Sequence, residues 1–198
     1  FINLNYLRLI ILFMFIMIKI NILKNLFIGS LNPRKKLDHL IDAYSVYKSE
    51  TKDYKKLQII GSGSEEKKLK IQVKKLGLLN DVIFLGRIID EQIKLTVFEQ
   101  AIALISPGQA GLSVLESMAY GVPYITYKDA ITGGEIFNIE NKKNGFLIDG
   151  KNDLVNLMKK LTFDKGLLQQ MSDNAIYHYN INRSIENTAN TFKEIINQ

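Results

Sequence analysis

From Leu26 onward the chain alternates short apolar runs with longer stretches of helical period, and few architectures accept that pattern. The runs lie at 26–29, 57–61, 82–86, 101–106, 123–127 and 145–148. Between them the 3.6-residue period predicts helices near 36–48, 65–76, 91–100, 112–120 and 153–161. After Asp164 the chain reads as helical to its end. A strand that is apolar along its whole length has both faces buried, and the intervening helices supply the crossovers that parallel strands need. The expected fold is α/β, a Rossmann-like parallel sheet with helices on both faces. Sheets of this kind bind ligands at the carboxyl ends of their strands. The residues that follow each run are therefore the first candidates for function.

Composition narrows the chemistry. At 198 residues the chain is one domain, or one domain with an appendage, and 46% hydrophobic against 23% charged residues is ordinary for a globular protein. With no cysteine, disulfides, thiol catalysis and cysteine metal ligands are excluded. That absence fits the reducing cytoplasm. His39 and His178 show no metal-ligand spacing, and no Asp-x-Asp pair closes a strand, so no metal and no other cofactor is expected. The net charge of +6 suits anionic partners, and equally suits a plain lysine-rich composition bias. The lysines are scattered and lack interleaved aromatics, which argues against nucleic acid as a partner.

The loops after the first runs carry the candidate chemistry. Gly29, Gly61 and Gly86 close the first three runs. The first loop brings three consecutive cations, Arg34, Lys35 and Lys36, to the start of a predicted helix, where they can neutralise a pyrophosphate. Positive charge there opposes the helix dipole, which weakens a purely structural explanation. The second loop, with Gly61, Gly63 and Ser64, reads as a tight turn with Ser64 as a helix cap. The fourth run leads into Pro107, Gly108 and Gly111, then a helix ending at Gly121. In that helix Leu112, Leu115 and Ala119 are expected to face the core. Glu116 sits one turn in, where a carboxylate can accept both hydrogens of a sugar diol. Its alternative is a solvated surface position. Gly133 and Gly134 precede Glu135, which either caps a short helix or touches a ligand.

Several ordered motifs together resemble the family-4 retaining glycosyltransferases of the GT-B architecture. That family's second domain opens on a G-R-L-x-x-x-K-G-x-D pattern, and here Gly29 to Ala43 reads Gly-Ser-Leu-Asn-Pro-Arg-Lys-Lys-Leu-Asp-His-Leu-Ile-Asp-Ala. An I-x-G-x-G-x-E stretch starts at Ile59, V-x-F-L-G matches Val82 to Gly86, and Leu115 to Pro123 is similar to the hallmark E-A-M-A-x-G-x-P. Asn144 to Ile148 continues the match, so the likeness covers about 24–198. The resemblance implies a nucleoside-diphosphate-sugar donor and a glycan or lipid-linked acceptor. It implies diphosphate contact by Lys35, ribose contact by Glu116, phosphate on the backbone of Gly111, Leu112 and Ser113, and the base near Arg87 and Ile88. Ser30, Arg34, Gly61, Gly63 and Gly108 complete the expected donor site.

Three departures accompany the likeness. Ser30 stands where the family has a phosphate-binding Arg, and Arg34 is the candidate substitute. Gly108 stands eight residues before Glu116, where the family has a sugar-contacting Glu. The acceptor-binding domain that precedes this one in the family is expected to be missing from this chain. Residues 1–23 instead hold an apolar run at 9–18 bracketed by Arg8 and Lys19, too short to span a bilayer. It reads as a truncation remnant, a membrane-associating helix giving peripheral contact at the inner face, or a segment packed on the sheet. Truncation is the expectation adopted. Competing readings are a non-catalytic nucleotide-sugar-binding fragment and a nucleotide-sugar 2-epimerase.

Overall fold

The computed structural model describes residues 23–184 and, beyond them, 186, 187, 189, 193 and 196. The expectations for the apolar run at 9–18 lie outside the described residues. Six strands form one parallel sheet: β1 Lys24–Ile28, β2 Leu57–Ile60, β3 Val82–Gly86, β4 Ala101–Ile105, β6 Tyr124–Tyr127 and β8 Gly145–Ile148. Their spatial order is β3-β2-β1-β4-β6-β8. The expected strands are all present, each within a residue or two of its predicted bounds. A two-residue parallel pair, β5 Gln109–Ala110 with β7 Ile131–Thr132, was not expected. Two residues are too few to show a period.

Helices α1 Leu37–Ser49, α2 Glu66–Lys75, α3 Glu91–Glu99, α4 Ser113–Ala119, α5 Lys151–Phe163 and α6 Lys165–Asn182 alternate with the strands and then close the chain. Two starts are capped by side chains. Asp90 accepts from the N–H groups of Gln92 and Ile93 at 2.9 and 3.0 Å, and Asp164 from Leu167 at 2.9 Å. Ser64 does not cap α2; Glu65 holds that position and makes no side-chain cap bond. The three cations before α1 also lie differently from expectation. Arg34 and Lys35 belong to a separate 3-10 turn at Pro33–Lys35, and Lys36 takes a left-handed conformation that starts α1 afresh at Leu37.

Successive strand residues point to opposite faces, so each strand feeds two cores. One face gathers Phe27, Ile59, Ala103 and Ile125 with Leu40, Tyr44 and Tyr47 of α1 and Leu154 and Met158 of α5. The other gathers Leu26, Ile60, Leu104 and Tyr124 with Phe98 of α3 and Val114 and Met118 of α4. The helix phase of α4 corrects an expectation. Val114, Ser117 and Met118 are buried, whereas Leu112 is 77% exposed and Ala119 is exposed as well. With apolar residues on both sides of a seven-residue helix, periodicity alone does not choose the inward face.

Tyr47 ties three elements together at the amino edge of the sheet. Its hydroxyl accepts from the Lys55 N–H at 2.8 Å and lies 2.7 Å from the Thr162 hydroxyl, so α1, the segment before β2 and α5 meet on one oxygen. Tyr47→Phe keeps the ring and strands the Lys55 N–H. Urea unfolding is expected to show a loss of about 1–2 kcal/mol with an unchanged m-value. An unaltered midpoint would show that the hydroxyl is dispensable.

Candidate functional site

The strand order reverses direction between β1 and β4. The chain runs outward from β1 through β2 to β3, then returns to β4 on the other side of β1. A crevice opens at such a point because the loops after the two central strands diverge. Here a cavity of about 360 Å³ is lined by Ile28, Gly29, Ser30, Ile60, Gly61, Ser62, Arg87 and Ile88, at the carboxyl ends of β1, β2 and β3. Four residues expected from sequence, Ser30, Gly61, Arg87 and Ile88, share this wall. Ile28 and Ser62 join them without a signal that distinguishes them from ordinary strand and turn residues.

Backbone contact decides how tightly the loops pack around this cavity. Gly61 adopts φ +138°, and a Cβ there would lie 1.8 Å from the Gly29 carbonyl oxygen. At Gly63 the clash would be with the backbone of Leu31 at 2.3 Å. Both glycines thus press the second loop against the first. Across the switch point, the Gly108 N–H donates to the Lys35 carbonyl at 3.1 Å, and a Cβ on Gly108 would lie 2.2 Å from the Arg34 carbonyl. The 33–36 backbone fills the space that a side chain at 108 would occupy.

Of the three cations in that turn only Lys35 turns inward. Arg34 is exposed, and Lys36 lies 3.4 Å from Asp129. Lys35 is 8% exposed, and its Cε and Nζ stand 3.4 and 3.6 Å from where a Gly29 Cβ would be, beside the cavity. Its ammonium makes no ion pair among the described residues. Burial, and then the neighbouring Arg34 cation, hold its pKa below the ordinary lysine value, and Glu135 works in the opposite direction. A buried cation without a counterion in contact is costly. It is suited to an anion that arrives from solution.

Gly111, Leu112, Ser113 and Glu116 lie on the far side of the switch point, at and within α4, and do not line the cavity. The amides of Gly111 and Leu112 donate to no backbone carbonyl among the described residues. The Ser113 and Tyr124 hydroxyls are 3.1 Å apart. Glu116 is partly buried and accepts from Lys94 of α3 at 2.8 Å. Lys94 also lies 3.0 Å from Glu91, and hydrogen bonds to Glu116 and then Glu91 raise its pKa. The Phe98 and Tyr120 rings stack 4.3 Å apart and fasten the same two helices. Lys94 was not foreseen. In the sequence it reads as half of a surface pair with Glu91 three residues earlier.

With this geometry in place, comparison with known proteins defines the class. Residues 22–178 match the family Glycosyl transferases group 1, and the chain belongs to that family. An uncharacterized glycosyltransferase of Haemophilus influenzae is 31% identical over 151 residues, covering 74% of this chain and 41% of that protein. The chain therefore spans about two-fifths of that relative's length. Among solved structures, S. aureus TarM in complex with UDP superposes with a TM-score of 0.76 at 23% identity, over 89% of this chain and 36% of TarM. Anabaena HepE in complex with UDP gives 0.74 at 22% identity, over 87% and 48%. The carboxy-terminal domain of a group 1 glycosyltransferase from Francisella tularensis gives 0.70 at 21% identity, over 82% and 87%. The shared fold is the Rossmann-like half of the GT-B architecture.

The close packing at Gly108 yields a paired prediction. Gly108→Ala must displace the turn that carries Lys35, and a loss of about 1–3 kcal/mol in thermal or urea unfolding is expected. Gly111→Ala, where nothing lies within 4 Å of the new carbon, should stay within about 0.5 kcal/mol of wild type. Equal stabilities of the two variants would refute the packing argument.

Proposed function

We propose that residues 24–198 form the nucleotide-sugar-binding domain of a family-4 glycosyltransferase that transfers a glycosyl group with retained anomeric configuration. The observation that carries this reading is the inward-turned Lys35 ammonium, without a counterion in contact, beside a cavity at the carboxyl ends of β1 to β3. The similar HepE and TarM structures hold UDP, which favours a nucleoside diphosphate as the ligand.

In this reading the base enters the cavity against the main chain of Arg87 and Ile88, with Ser30, Gly61 and Gly63 shaping its mouth. The diphosphate extends toward Lys35 and the amides of Gly111, Leu112 and Ser113, with Arg34 able to swing in from its exposed position. Glu116, held by Lys94, accepts hydrogen bonds from the ribose diol. During transfer the bond between the anomeric carbon and the diphosphate oxygen breaks. Negative charge grows on the departing diphosphate, and Lys35 and the amides stabilise it. The acceptor hydroxyl, from a glycan or a lipid-linked chain, joins the anomeric carbon on the same face and passes its proton to the departing diphosphate oxygen. A second domain, packed over this cleft, supplies the acceptor site.

Two variants test the assignments. Lys35→Ala should weaken UDP or GDP binding by about 1–3 kcal/mol in calorimetry, the range for a charge-assisted hydrogen bond. Unchanged affinity for whichever nucleotide wild type binds rules the role out. Glu116→Gln should weaken nucleoside diphosphate binding but leave inorganic pyrophosphate nearly unaffected, because pyrophosphate has no ribose. The partly exposed pair with Lys94 is worth only about 0–1 kcal/mol, so the fold should persist. An equal loss for both ligands would place the action of Glu116 elsewhere.

A further inference from the structure

Glu135 lies on a segment laced to the turn that carries Lys35. The Gly108 N–H bonds the Lys35 carbonyl at 3.1 Å, and the Gly108 carbonyl accepts from the Ile131 N–H at 2.9 Å. The β5 and β7 pair continues this contact to Thr132. Three residues later Glu135 opens a 3-10 turn at Glu135–Asn138. Its carboxylate folds back on its own loop. Oε2 accepts from the Gly133 N–H at 2.9 Å and from the Thr132 hydroxyl at 3.3 Å, and no side chain among the described residues reaches Oε1. Oε2 is thereby pinned to its own loop.

The surroundings say what that carboxylate meets. Hydrogen bonds from its own N–H, from Gly133 and from Thr132 keep the carboxyl below its ordinary pKa, with help from the Lys35 charge, so it is an acceptor and not a donor. Its charge acts both on Lys35 and on the Tyr124 hydroxyl, the neighbour of Ser113. Glu135 and Lys35 nevertheless make no ion pair. A fixed carboxylate repels a phosphate, so the part of an anionic ligand that settles against it must be uncharged and rich in hydroxyl donors. In a nucleoside-diphosphate sugar bound through Lys35, that part is the sugar.

We infer that Glu135 is the residue that binds the sugar hydroxyls of the donor, in a site where position 108 has no side chain to offer. The inference rests on the donor-site reading above. Gly133 and Gly134, the residues just before it, leave its approach open: Gly133 is exposed, and nothing lies within 4 Å of a Cβ on Gly134.

The test compares bare nucleotide with donor. Calorimetric titrations of the full chain, of Glu135→Gln and of Glu135→Ala use UDP with UDP-glucose and UDP-N-acetylglucosamine, and GDP with GDP-mannose. For the pair that wild type binds, both variants should bind the sugar-free nucleotide as well as wild type or better, since a negative charge near the phosphates is gone. Relative to that nucleotide they should bind the sugar form about ten- to hundredfold more weakly than wild type does. Equal factors for nucleotide and nucleotide sugar would reduce Glu135 to a loop brace or a counterion of Lys35 and overturn the assignment. Melting curves separate a broken loop from a lost contact, because Glu135→Gln retains an acceptor oxygen for Gly133 and Thr132. If wild type binds none of these nucleotides, the donor-site reading itself fails, a result distinct from the failure of Glu135 alone.

Discussion

The two hydrogen bonds of Gly108 hold the site together. Its N–H takes the carbonyl of Lys35, and its carbonyl takes the N–H of Ile131, so three loops from three parts of the sequence meet on one residue. Only a residue without a Cβ permits the 33–36 backbone to come so close, and the approach turns Lys35 inward beside Gly29. A larger residue here would move the cation, the turn and the ribbon to Glu135 together.

Charge in the crevice is arranged by partial compensation. Lys94 is shared between Glu91 and Glu116, and Lys36 leans toward Asp129. Lys35 and Glu135 act on one another without contact. The paired groups brace α3 and α4 or the outside of the first loop, whereas Lys35, without an ion pair among the described residues, sits beside the cleft. No described helix is long and apolar enough to cross a membrane.

The sheet was legible because fully apolar strands between amphipathic helices leave few alternatives, and each loop after a strand could be read for polar candidates. Gly61 was read from its loop, and Ser30, Arg87 and Ile88 from the family resemblance, and all four lie around one cavity. What was not legible depends on contacts between distant segments. The inward face of α4 was misjudged because Leu112 and Val114 are equally apolar and only packing separates them. Lys94 carries no sequence mark of its bond to Glu116, 22 residues away. The roles of Gly63 and Gly108 depend on carbonyls some 32 and 74 residues distant, and spacing along the chain does not encode such encounters. Ser64 looked like a cap, yet the turn at Gly63 shifts the start of α2 past it.

The central claim is that nucleoside diphosphates bind at the carboxyl ends of β1 to β4. Backbone amide spectra of the isotope-labelled chain, titrated with UDP and with GDP, test it directly. Binding at this crevice predicts that one of the two shifts resonances at 28–36, 60–63, 86–90 and 107–113, while amides at 51–56 on the opposite edge and 165–175 of α6 stay in place. Shifts confined to the opposite edge, or none with either nucleotide at millimolar concentration, would contradict it.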